Sequence, residues 1–169
     1  TGISSTIIKS LTDAGVFEIY TKTVDRNAYD KGELPLKELN GLQQEALGQI
    51  QEAFSKHEVT LLHGITSSGK TEIYSKLIAQ TLSEGKQVLY LLPEIALTTQ
   101  IIGRLQKHFG NQLAVYHSRF SVNERVEVWN NVLRNAENAQ VVLGARSAVL
   151  LPFSKLGLII VDEEHETSY

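Results

Sequence analysis

Cysteine is absent from all 169 residues, which excludes disulfides and thiolate metal sites from this stretch of chain. Methionine is absent too, the initiator included. The chain opens in mid-pattern on Thr1 and stops at Tyr169, so a piece of a longer protein is expected. No apolar run approaches the roughly 18–20 residues that a bilayer crossing needs. No signal-peptide pattern opens the chain. No membrane partner is expected, and a cytoplasmic location is. A strong charge of either sign is also missing, since the formal net charge is −3. Contact with a polyanion must then come from a local patch. Repeats and low-complexity segments are not evident.

What is present resembles an ordinary globular protein. Apolar residues make up 42% and charged residues 21%, enough for a real core in one domain of ordinary size. From Gln43 onward, strand-like runs alternate with helix-like runs. The strand-like runs are Val59–Gly64, Gln87–Pro93, "LAVYHS", "AQVVLG" and "LGLIIVDE". Between them, Ile73, Leu77, Ile78 and Leu82 fall at helical spacing before Gly85, and Ile101, Ile102, Leu105 and Phe109 before Gly110. A third helix opens on the capping box Ser121/Glu124 and carries Val122, Val126, Trp129 and Leu133 on one stripe. Continuous apolar strands alternating with helices predict an α/β fold, a parallel sheet covered on both faces. The first forty residues differ: Ile3, Ile7, Ile8 and Leu11 predict a helix, a polar β-like run follows, and Asp30–Glu38 looks like a linker.

The segment "GITSSGKT" fits G-x-x-x-x-G-K-[ST], spanning Gly64, Ile65, Thr66, Ser67, Ser68, Gly69, Lys70 and Thr71. Glycines at Gly64 and Gly69 let the backbone turn and come close to a ligand. Successive amides then form an anion nest, and the helix that follows turns its positive end toward the same anion. Lys70 supplies a full positive charge for β- and γ-phosphates, and the Thr71 hydroxyl can ligate Mg²⁺. A glycine-rich turn would share the composition. The apolar run before it and the amphipathic helix after it favour a nucleotide, ATP with Mg²⁺.

The last apolar run delivers Asp162 and Glu163 to its C-terminal end, which in an open parallel sheet faces the ligand crevice. Asp162 is placed to hold Mg²⁺ opposite Thr71, and Glu163 to take a proton from an attacking water. Alone, "DEEH" would be an acidic surface turn; paired with the phosphate loop it fits a catalytic pair. His165 has no second histidine at metal-ligand spacing, so a neutral imidazole connecting the carboxylates to another segment fits best.

A phosphate loop followed by a D-E-x-H box resembles the superfamily 2 helicases. "YLLPEIALTTQ", "VYHS…NERVEVW", "VVLGARSAVLLPF" and "LGLIIVDEEHETSY" narrow the resemblance, from about Leu39 to Tyr169, to the primosomal helicase (primosomal protein N′) family. That resemblance implies most of the first RecA-like lobe, 39–169, of a DNA-dependent ATPase and 3′–5′ DNA helicase. Such enzymes remodel stalled replication forks and start primosome assembly. It makes Gln43 the adenine reader, and it gives Thr98, Arg146 and Ser147 contacts to DNA. It implies that residues 1–30 are the last helix and wing of a winged-helix domain, joined by the linker 31–38. Forked or single-stranded DNA, other primosome proteins and single-strand binding protein are the implied partners. The family's arginine finger and its zinc-binding cysteines belong to parts outside these residues. Slow or no turnover by this chain alone is therefore expected. Two other readings share the loop. A small-molecule kinase would need a lid, and no arginine-rich lid run occurs; a non-catalytic docking module would need neither.

Overall fold

The computed structural model describes residues 5–16, 34–65, 68–93, 99–118 and 120–163. Four apolar runs pair into one parallel sheet: β1 (Gln87–Leu91), β2 (Leu113–Tyr116), β3 (Val141–Gly144) and β4 (Leu156–Val161), in the order β2-β3-β1-β4. All of β1 is buried, because it has a neighbour on each side and helices above and below. Its alternation divides the core. Val88 and Tyr90 enter one layer with Ile78, Leu105, Phe109, Leu113 and Ile160. Leu89 and Leu91 enter the opposite layer with Ala114, Val128, Val132 and Val142. Fully enclosing a side chain such as Ile78 or Leu105 contributes about 1.5–3 kcal/mol.

Helices α3 (Lys70–Ser83) and α4 (Thr99–Phe109) cover the first face, and α5 (Val122–Leu133) the second. Helix α2 (Gly41–Phe54) packs its Ile50 against Ile73 and Leu77 of α3. The expected capping box of α5 is present: Ser121 Oγ accepts from Glu124 N and Glu124 Oε2 accepts from Ser121 N. This is the fold of a RecA-like α/β lobe. A separate helix, α1 (Ser5–Asp13), forms where the spacing predicts one, and Ile7 on it is exposed. The proposed wing, 17–30, lies outside the described residues. Within the segment expected to be a linker, Leu34 N donates to Lys107 O (3.0 Å) and Leu36 packs onto the first core layer.

Two expectations are corrected. Val59–Gly64 is not a strand, for among the described residues it pairs with none of the four. Its exposure still alternates with period two: Val59 and Leu61 face out, while Leu62 packs beside Leu158. Leu62 reaches the core, but ladder hydrogen bonds are not formed. The α5 stripe also faces the other way from a core helix's. Val122, Val126, Trp129 and Leu133 are exposed, and Val128 and Val132 are buried. The helix is apolar on two sides, and the narrower pair fits against the small Ala114 and Ala139.

One buried polar side chain ties this framework together. Gln87 is fully enclosed at the start of β1. Its Nε2 donates to Val132 O (2.9 Å) and Ala139 O (3.4 Å). Its Oε1 accepts from Ser154 N (3.1 Å) and Lys155 N (3.0 Å). One amide thereby joins the end of α5 to the turn that leads into β4.

Candidate nucleotide site

Because every strand is parallel, all four C-terminal ends lie along one sheet edge. The phosphate loop leads into α3, whose N-cap is Gly69 with φ +86° and no side-chain cap bond. Uncapped first-turn amides at a helix start are anion donors. A Cβ on Gly69 would overlap Gln43 Nε2, and one on Gly64 would lie 2.9 Å from Ser68 Oγ. Gly69 is required by its left-handed backbone, Gly64 keeps the loop compact beside Ser68 and Lys70, and the loop fits a phosphate. Lys70 Nζ donates to Gly64 O at 2.6 Å, drawing the two ends of the loop together. Thr71 sits half-buried in the first turn of α3.

Gln43 is set by its own helix. Asn40 Oδ1 accepts from Gln43 N (2.9 Å) and Gln43 Oε1 accepts from Asn40 N (3.0 Å), a capping box at the start of α2. Its Nε2 makes a longer contact, 3.4 Å, to Gly69 O. The amide that resemblance assigns to adenine therefore stands against the loop itself. Beside Thr71, a cleft is lined by Leu36, Lys37, Glu72, Ser75, Arg104 and His108. Lys37 Nζ approaches Glu72 Oε1 to 3.6 Å across it.

Asp162 follows β4 directly. Its N–H donates to Leu91 O (3.0 Å), extending the β1–β4 ladder by one bond. Its Oδ2 accepts from the Tyr90 hydroxyl (2.9 Å). The Tyr90 ring meets Tyr74 edge-on, centroids 5.8 Å apart at 83°. Tyr74 is one turn along α3 from Lys70. A chain of contacts thus runs from the phosphate-loop helix to the aspartate. Glu163 is exposed with φ +55°, a left-handed conformation costing a non-glycine residue about 1 kcal/mol or more.

Arg146 and Ser147 open the short 3₁₀ turn Arg146–Leu150 after β3, both exposed at the same sheet edge on the other side of β1 from Asp162. Gly144 permits that turn. A Cβ there would come 2.5 Å from Ala148 Cβ and 3.0 Å from Tyr116 O. Gly144→Ala is expected to cost about 1–3 kcal/mol by overpacking, seen as a lower midpoint in urea unfolding. Thr66, Ser67, Thr98 and His165 lie outside the described residues. Tyr74, Tyr90 and Gly144 were missed by sequence reasoning. A tyrosine between the aliphatic Leu89 and Leu91 of β1 was the available signal, since a buried hydroxyl needs an acceptor.

A glycine-built phosphate loop opening α3, with an aspartate ending the strand beside β1, defines a P-loop lobe of the helicase type. The chain belongs to the DEAD/DEAH box helicase family, whose model matches residues 40–169. It is 42% identical, along its whole length, to replication restart protein PriA of Bacillus subtilis, covering 21% of that protein. It is 45% identical to PriA of Synechocystis over 78% of this chain and 16% of the relative, and 45% identical to PriA of Helicobacter pylori over 88% and 23%. The chain thus spans about a fifth of the length of these relatives. No helix among the described residues is long and apolar enough to cross a membrane.

Proposed function

We propose that this chain is the ATP-binding lobe of a cytoplasmic, DNA-dependent ATPase and 3′–5′ helicase that remodels stalled replication forks and begins primosome assembly. The observation that carries the reading is a chain of contacts from the phosphate-loop helix to the aspartate after β4. Lys70 is bonded across the loop to Gly64, and Asp162 is bonded to Tyr90, which touches the loop's own helix. The names of the relatives supply the replication-restart role.

The residue roles in this reading are those that the motifs and the family resemblance suggest. The loop amides from Ile65 to Thr71 and the Lys70 ammonium hold the phosphates, and Gly64 and Gly69 leave room for them. Thr71 and Asp162 hold Mg²⁺. One carboxylate and one hydroxyl suffice, because Mg²⁺ keeps waters and takes phosphate oxygens as further ligands. A bound ion would supply positive charge to the phosphates there. Glu163 orients a water and accepts its proton, and His165 connects the carboxylates to a neighbouring segment. Gln43 presents its amide to adenine. Thr98, Arg146 and Ser147 hold DNA phosphates, which fixes strand position without reading sequence. Other primosome proteins and single-strand binding protein would act through regions beyond this chain.

The test is ATP hydrolysis by a protein of the relatives' length that carries this chain, with and without forked DNA. Stimulation by the fork is expected, against slow turnover by these 169 residues alone. Equal rates with and without DNA, or phosphate transfer to a metabolite, would overturn the reading.

A further inference from the structure

We propose that Tyr90 is a positioning residue for the metal: its hydroxyl fixes the carboxylate of Asp162, and Tyr74 ties that setting to the phosphate-loop helix. The inference rests on the assignment of Asp162 to Mg²⁺ made above.

Geometry makes the case. Tyr90 pairs with Ile160 in register, and both enter the same core layer. Period two along the strand then puts Asp162 on the same side as Ile160, about two residue steps, or roughly 6.5 Å, further toward the sheet's C-terminal edge. A leucine or valine at Tyr90 would fill the core and stop short of that edge. The phenol spans the step, and its oxygen lies 2.9 Å from Asp162 Oδ2. The ring is fully buried and held edge-on by Tyr74, so the hydroxyl has little freedom to turn elsewhere. A hydroxyl donating to a carboxylate makes a charge-assisted bond, stronger than one between neutral groups. A metal-ligating carboxylate held in this way keeps its plane, and loss of such support typically weakens metal binding 10–100-fold. Tyr74 and Thr71 are neighbours on α3. The aromatic pair therefore joins the helix offering the hydroxyl ligand to the strand end offering the carboxylate.

Tyr90→Phe keeps the ring and its edge contact and deletes only the donor. The probe is Mn²⁺ in the presence of ADP, its free and bound fractions measured by electron paramagnetic resonance on this chain. Mn²⁺ affinity is expected to fall roughly tenfold in Tyr90→Phe, with metal-free ADP affinity unchanged. It is expected to fall further in Asp162→Ala. If Asp162→Ala loses Mn²⁺ while Tyr90→Phe matches wild type, Tyr90 merely fills the core and the proposal fails alone. If Asp162→Ala also matches wild type, the metal assignment fails and takes the proposal with it. A measurement on the unmodified chain guards against a variant that does not fold. Tb³⁺ bound with ADP is expected to emit on tyrosine excitation and to lose that emission as Mg²⁺ displaces it. No sensitised emission would overturn the placement of a tyrosine beside the metal.

Discussion

Lys70→Ala is expected to weaken ADP binding by roughly ten- to a hundredfold. Lys70 offers phosphate a full charge from the first residue of α3. A hydrogen bond to a charged group contributes about 1.5–3 kcal/mol, and about 1.4 kcal/mol is a factor of ten in affinity. The structure adds a second loss. The 2.6 Å bond from Lys70 to Gly64 O closes the loop, and alanine removes it. The amides that would converge on phosphate then have more conformations to lose on binding. Titration of a fluorescent ADP analogue into wild type and variant checks this. Equal affinities would remove the phosphate-loop assignment. Melting temperature should change little, since Lys70 is only partly buried and its side chain carries none of the core.

Gln87→Leu should have the opposite profile: a large loss of stability and little direct effect on ADP. Leucine matches the volume but not the chemistry. It would leave Val132 O, Ala139 O, Ser154 N and Lys155 N without their shared partner. A buried group left unsatisfied costs about 1–3 kcal/mol. Val132 and Ala139 are fully buried, whereas Ser154 and Lys155 are exposed and can turn to water. Val132 O keeps its bond from Asn135 N (3.1 Å), so a net loss of about 2 kcal/mol is expected, mostly from Ala139 O. For a chain of this size that is a fall of roughly 4–8 °C in melting temperature. Thermal unfolding followed by circular dichroism measures it. A fall under roughly 3 °C would mean that water replaces the amide without difficulty.

The sheet was legible in the sequence because each strand is a continuous apolar run, and helix boundaries followed from capping and glycine signals such as Ser121/Glu124 and Gly85. Two misreadings share a cause. Spacing reveals which residues of α5 share a side, not which side meets the sheet; Val128 and Val132 win that contact by fitting against small partners. Composition likewise marks Val59–Gly64 as extended, but ladder bonds depend on how the run docks along β4. At the site, the loop pattern gave the residue types, while their mutual arrangement depended on tertiary contacts. The Lys70–Gly64 bond, the stance of Gln43 against Gly69 and the Tyr74–Tyr90–Asp162 chain join residues 6, 26 and 72 positions apart at their bonded ends. No local window contains such a pairing as Tyr90 with Asp162.

The missing ladder before the phosphate loop has a mechanical consequence. Among the described residues, no backbone N–H from Val59 to Ile65 donates to another backbone carbonyl. On one flank the loop runs into the half-buried first turn of α3, which is anchored by Ile73 and Tyr74 in the core; on the other it joins an arm seated chiefly by Leu62. Recoil from the phosphates would be absorbed upstream, in the arm, and would leave the aromatic pair and Asp162 undisturbed.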